Sequence, residues 1–231
     1  LTQFGHQAHW AGVWAAEPDG ERVQDTLRRH GVQTGHARRL ETGKVSTSYI
    51  TLNRANGSRT IVHYRDLPEF GLDDFRSIRL TGFDWLHFEG RNVRETEAML
   101  SHARAVVPDI PCSVEIEKGR PEIERLWPLG DLLLFSSDFA GAQGHSPERL
   151  LHRVREVAPG ADLYCTAGAA GAVALERSGG FHRSRAFPPA RVVDTLGAGD
   201  TFNAAVIDGY LRGMGVEAVL GRACAVAGAK V

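Results

Sequence analysis

The sequence predicts an α/β protein, a three-layer α/β/α arrangement around a mostly parallel sheet, and three observations carry that expectation. Short apolar runs of strand type recur at 83–88, 112–116, 131–136, 162–166 and 172–175, with helical patterns between most of them. Strands separated by helices are the mark of parallel pairing with both sheet faces covered. The length, 231 residues, suits one sizeable domain with its own core. The charge is balanced, with 27 Lys and Arg against 28 Asp and Glu. That balance argues against a general nucleic-acid binder and against a polybasic membrane surface.

Taken in order, 18–30 reads as a helix, with Pro18 and Asp19 at its start, Gly31 as its stop, and Val23, Leu27 and His30 on one face. Residues 45–52 and 60–64 are β-branched and alternating around an Asn56-Gly57 turn, a hairpin signature. Its weakly apolar sides suit a sheet that lies over something else. A strand at 83–88 leads into a helix at 95–107 with Met99, Leu100 and Ala103 inward. A strand at 112–116, a short helix at 120–126 and a strongly apolar strand at 131–136 follow. Ser146 opens a helix at 147–157, and strands at 162–166 and 172–175 come next. Residues 181–187 read as an extended edge piece, and helices at 200–211 and 216–229 close the chain. Three widely spaced cysteines (Cys112, Cys165, Cys224) fit neither a disulfide framework nor a zinc cluster, so the expected compartment is the reducing cytoplasm.

The sharpest motif is Asp194-Thr195-Leu196-Gly197-Ala198-Gly199-Asp200-Thr201-Phe202. Two glycines around a small residue allow a tight turn with outward N–H groups, and the following helix adds the positive end of its dipole. Together these make an anion cradle, with phosphate the usual occupant. A carboxylate at Asp200 beside that cradle could take a proton from a hydroxyl attacking phosphorus. The plainer reading of the same residues is a tight turn followed by a capped helix. Glu115 and Glu117 fall on one side of an extended segment, where two carboxylates could organise Mg²⁺ or its water shell. A surface pair neighboured by Lys118 explains them equally well. Gly43-Lys44 lacks the spacing of a P-loop, and the glycine turn at 197–199 lacks that of a dinucleotide fingerprint. His6 and His9 do not reach metal-ligand spacing.

The stretch VVDTLGAGDTFNAAV at 192–206 resembles the C-terminal signature of the ribokinase-like (PfkB) carbohydrate kinases. Within that family, GSRTIVHYRDLPE, FDWLHFEGRN, EIEKGRPE and AFPPARVVDTLGAGDTFNA resemble the ketohexose-phosphorylating branch, in order along nearly the whole chain. The resemblance implies a ribokinase-like kinase domain over 1–231 with a small β lid at 41–65. It implies ATP-dependent phosphorylation of fructose to fructose 1-phosphate, with Asp200 as general base and Gly197, Ala198 and Gly199 as the anion hole. Arg59, Arg91 and Asn92 are then expected on the sugar and phosphoryl side, with Glu89 a candidate to orient Arg91. Thr166, Gly168 and Gly171 are expected to shape the ATP site, and Glu117 to lie near Mg²⁺, through water. A homodimer formed through the lid is also implied.

The resemblance leaves two alternatives open: a kinase of the same family with another acceptor, such as ribose or a nucleoside, and an inactive form that binds nucleotide or pairs with full-length subunits. The family's N-terminal strand with its sugar-binding Asp, and its Gly-Gly-Asn segment, have no counterpart between Leu1 and Val231. The resemblance therefore implies a chain incomplete at both ends, with poor stability and turnover by itself.

Overall fold

The computed structural model describes residues 1–52 and 59–231, arranged in two compact units, 1–78 and 79–231. In the first unit, β1 (Val13–Ala15) and β2 (Arg38–Leu40) pair in parallel across helix α1 (Pro18–Arg29). Pro18 stands in the first turn of α1, and the Glu17 carboxylate accepts from the amides of Asp19 and Gly20 at 3.1 and 3.2 Å. The buried face of α1 differs from the expected one. Gly20 and Gln24 are buried, whereas Val23 is 38% exposed. The cause is the approach of α1 to β1: a Cβ on Gly20 would lie 2.0 Å from the Ala15 carbonyl oxygen, so the helix turns that side inward.

Strands β3 (Thr47–Leu52) and β4 (Arg59–Tyr64) form the antiparallel hairpin, in a register from Thr47 opposite Tyr64 to Leu52 opposite Arg59. The expected Asn56-Gly57 turn lies outside the described residues. Tyr49 pairs with Val62 on one face and Ile50 with Ile61 on the other. All four are about half exposed or more (60%, 62%, 48% and 57%), so both faces of this ribbon carry open apolar surface. Its base is tied down by Lys44, whose Nζ lies 2.8 Å from Asp19 and whose amide donates to Asp66. A short helix, α2 (Leu72–Arg76), ends the unit.

The second unit is built on a six-stranded sheet in the order β10-β9-β8-β7-β6-β5. Its strands are β5 (Leu86–Glu89), β6 (Cys112–Ile116), β7 (Leu132–Phe135), β8 (Asp162–Thr166), β9 (Ala172–Leu175) and β10 (Phe181–Ser184). β5 to β8 run parallel, β9 is antiparallel to β8, and β10 pairs antiparallel with β9 at the edge, as its alternation suggests. The helices are α3 (Val93–Val106), α4 (Ser137–Ala142), α5 (Pro147–Arg155), α6 (Ala198–Leu211) and α7 (Val216–Lys230). α3 turns Met99, Leu100 and Ala103 into the core, and Ser146 caps α5 through the Arg149 amide. In β7 every residue is buried, which is why that strand reads as a continuous apolar run. The segment between β6 and β7 is a 3₁₀ helix at Ile123–Leu129, later than the short helix expected at 120–126.

Helix α6 is central to the second unit. Gly209 admits α7, since a Cβ there would meet Val219 at 2.7 Å. At its C-terminal end the buried Asp208 pairs with Arg212 at 2.8 Å and Arg222 at 2.6 Å. Tyr210 donates to the buried Asp162 at 2.9 Å, which also binds Arg177. These charge-assisted contacts fix the C-terminal end of α6 beside the start of β8, while Asn203 near its N-terminal end reaches Glu115 toward the end of β6.

Candidate active site

The candidate site forms where β5 and β6 end and α6 begins, at the C-terminal ends of parallel strands, where open α/β sheets bind ligands. Glu89 and Glu115 are register partners across β5 and β6. The next residue, Gly90, donates its amide to the Glu115 carbonyl at 2.8 Å. A Cβ on Gly90 would lie 2.8 Å from that same oxygen, so only glycine lets the chain leave β5 this close to β6. Arg91 then stands at the mouth, its Nε 3.2 Å from the Glu89 carboxylate. A cleft of about 290 Å³ is lined by Glu89, Gly90, Arg91, Glu115, Glu117, Lys118, Arg120 and Asp200.

Asp200 reaches this cleft from the first turn of α6. The N-cap is Gly197, at φ 76°, a left-handed conformation that glycine adopts freely. Glycine offers no side-chain acceptor, so the first turn has no side-chain cap at the positive end of the helix, and of its amides Ala198 donates to the Thr195 carbonyl at 3.3 Å. The two motif glycines differ in their reasons. Gly197 is required by its backbone angle, whereas Gly199 is helical and a Cβ on it would meet nothing within 4 Å. The fold itself does not require glycine at 199. A bound group lying against the amides would.

Four carboxylates, those of Glu89, Glu115, Glu117 and Asp200, line the cleft. Burial, followed by the Asp200 and Glu89 carboxylates, pushes Glu115 up to about 7, with the Asn203 side-chain amide opposing at 2.7 Å and Glu117 adding to the rise. Carboxylates crowded in this way are hard oxygen donors of the kind that Mg²⁺ takes. Among the described residues no three such groups are arranged to hold a metal by themselves.

The structure thus brings Arg91, Glu117 and Asp200 to one cleft, with Gly197, Ala198 and Gly199 in the turn that carries Asp200. Asn92 follows as the N-cap of α3. Arg59 opens β4 in the first unit, and its side chain is outside the described residues. Thr166, Gly168 and Gly171 lie at the end of β8 and in the turn to β9, and do not line this cleft. Thr166 accepts from the Ser137 amide, and Gly171 is held at φ 99° with its hydrogen face 2.1 Å, as a Cβ would measure it, from the Ser184 carbonyl oxygen. Arg120 and Asn203 complete the surroundings without having been singled out in the sequence. For Asn203 a signal exists, since it stands three residues after Asp200 on the same helix face.

The family model for pfkB family carbohydrate kinases matches residues 1–231. The chain belongs to the pfkB family of carbohydrate kinases. A ketohexokinase of Mus musculus is 41% identical over 239 residues, covering 100% of this chain and 80% of the relative. Among solved structures, a PfkB protein from Polaromonas sp. JS666 superposes with a TM-score of 0.79 at 20% identity, over 98% of this chain and 80% of that one. A ribokinase from Cryptococcus neoformans var. grubii, in complex with ADP, superposes at 0.77 with 21% identity, over 98% and 77%. The pfkB assignment makes the chain a phosphotransferase acting on a sugar hydroxyl, with the ribokinase-like fold. No helix among the described residues is long and apolar enough to cross a membrane.

Proposed function

We propose that this pfkB-family protein transfers the terminal phosphoryl group of ATP to the C1 hydroxyl of fructose, giving fructose 1-phosphate, with Asp200 as general base. The observation that carries the reading is the placement of Asp200: one turn inside a glycine-capped helix start, opening on the same cleft as Arg91 and Glu117. The choice of fructose rests on the 41% likeness to the mouse ketohexokinase.

Asp200 takes the hydroxyl proton as the oxygen attacks phosphorus, which raises the nucleophile's reactivity at the moment of transfer. The amides at 197–199, with the helix dipole behind them, receive the charge that spreads over the phosphoryl oxygens. Arg91, steadied by Glu89, offers a fork that fits two phosphoryl oxygens, and Arg59 and Asn92 serve the acceptor side. Thr166, Gly168 and Gly171 shape the backbone on the nucleotide side. Glu117 would hold Mg²⁺ through water. When bound, the ion would offset the negative charge of the phosphates. The exposed ribbon of β3 and β4 pairs with its copy in a second subunit, and three buried free cysteines suit a cytoplasmic protein.

A coupled assay of ADP release, run in parallel with fructose, ribose and adenosine, tests the acceptor. The expected result is a kcat/KM for fructose at least tenfold above the other two. A preference for ribose or adenosine would keep the kinase and refute the ketohexose.

A further inference from the structure

The Asp200 carboxylate is exposed, and among the described residues it takes no hydrogen bond from another side chain. Its aim is therefore set by the helix that carries it. The polar anchors of α6 at Asp208 and Tyr210 lie two or more turns away, at the opposite end. Near the site, the helix is held to the sheet by a different contact. Asn203, buried at 8% exposure, donates its side-chain amide to the Glu115 carboxylate at 2.7 Å. The two residues are 88 positions apart in sequence, and Glu115 is itself fixed by its place in β6 opposite Glu89. Asn203 and Asp200 are three residues apart and share one face, so a rotation of α6 that breaks the Asn203 contact also moves the base.

We infer that Glu115 and Asn203 form a positioning pair, which locks the N-terminal half of α6 to the end of β6 and thereby holds Asp200 and the glycine turn in register with Arg91. The pair does not touch the reacting atoms. It acts through Asp200, and the inference rests on the reading of Asp200 as the base. Misplacement of a catalytic group by about 1 Å can cost about 10²-fold in rate, so the pair's loss should appear in turnover rather than in nucleotide affinity.

The test compares Asn203→Ala, Glu115→Ala, their double variant and Glu115→Gln in the purified protein. Steady-state kinetics, calorimetric ATP affinity and melting temperature are read for each. Asn203→Ala and Glu115→Ala should each lower kcat about 10- to 100-fold while the Kd for ATP stays within about threefold. The double variant should be no slower than the worse single one, because both remove one interaction. Glu115→Gln keeps an amide oxygen that can accept from Asn203, and should recover most of the lost turnover. If Glu115→Ala fails to fold, Asn203→Ala and Glu115→Gln decide the matter by the same contrast, slow against recovered. Wild-type kcat in Asn203→Ala, additive losses in the double variant, or a Glu115→Gln no faster than Asn203→Ala would overturn the pairing. Asp200→Asn is run beside them. Normal turnover there refutes the base itself, whereas a slow Asp200→Asn with a normal Asn203→Ala refutes only the positioning pair.

Discussion

Gly199 shows how a single residue can separate folding from function. A side chain at this helical position meets nothing in the protein, and alanine is the better helix former by about 1 kcal/mol. Gly199→Ala should therefore leave the melting temperature unchanged or slightly raised. The new methyl group would lie beside the amides proposed to receive the phosphoryl oxygens, so KM for ATP should rise and kcat fall, by about tenfold together. A variant with normal kinetics would remove these amides from the anion hole. Arg91 makes a complementary point. Its nearness to Glu89 is readable from the sequence, two residues apart at a strand end, and the structure places their ion pair at 3.2 Å. The Glu115 and Asn203 contact is not readable in that way, because strand register and helix packing together bring two distant positions to 2.7 Å.

Elements were legible where their pattern was long or their chemistry local. The boundaries of β6, β8 and β9 coincide with the expected strands, because each is a β-branched or apolar run flanked by turn residues. β1 and β2, at three residues each, are too short to show a period, and α4 hides behind Ser136, whose hydroxyl accepts from the Phe139 amide. In α1 the pattern pointed to Val23, and the close approach at Gly20 selected Gln24 instead. The hairpin of β3 and β4 carries the element-scale prediction. Its two open faces bear Tyr49 with Val62 and Ile50 with Ile61, more apolar surface than an isolated ribbon keeps in water. Replacing Tyr49 and Val62 together by Lys places like charges opposite one another across any self-pairing. Association of the proposed dimer should weaken by about 10²-fold or more, and light scattering should report a shift toward monomer with the helical signal retained. An undiminished dimer would place the subunit contact elsewhere.

At the scale of the whole molecule, the parallel sheet, its helices and the glycine turn at 197–199 were all foreseeable, since strand and helix periods recur along most of the chain. The division into units at 78 and 79 was not, because no shift in composition or linker marks it. The candidate site lies where the second unit's topology brings three separate chain segments together: the ends of β5 and β6 and the start of α6. All of the chemistry proposed here depends on the acidic group in that start. The most direct measurement is the turnover of Asp200→Asn under saturating fructose and ATP, with ATP affinity measured on the same sample. Asparagine keeps the shape and the helix start but removes the proton acceptor, so kcat should fall by about 10² or more while the Kd for ATP stays within about threefold. A kcat within a few-fold of the unchanged protein would contradict the assignment of Asp200 as the base.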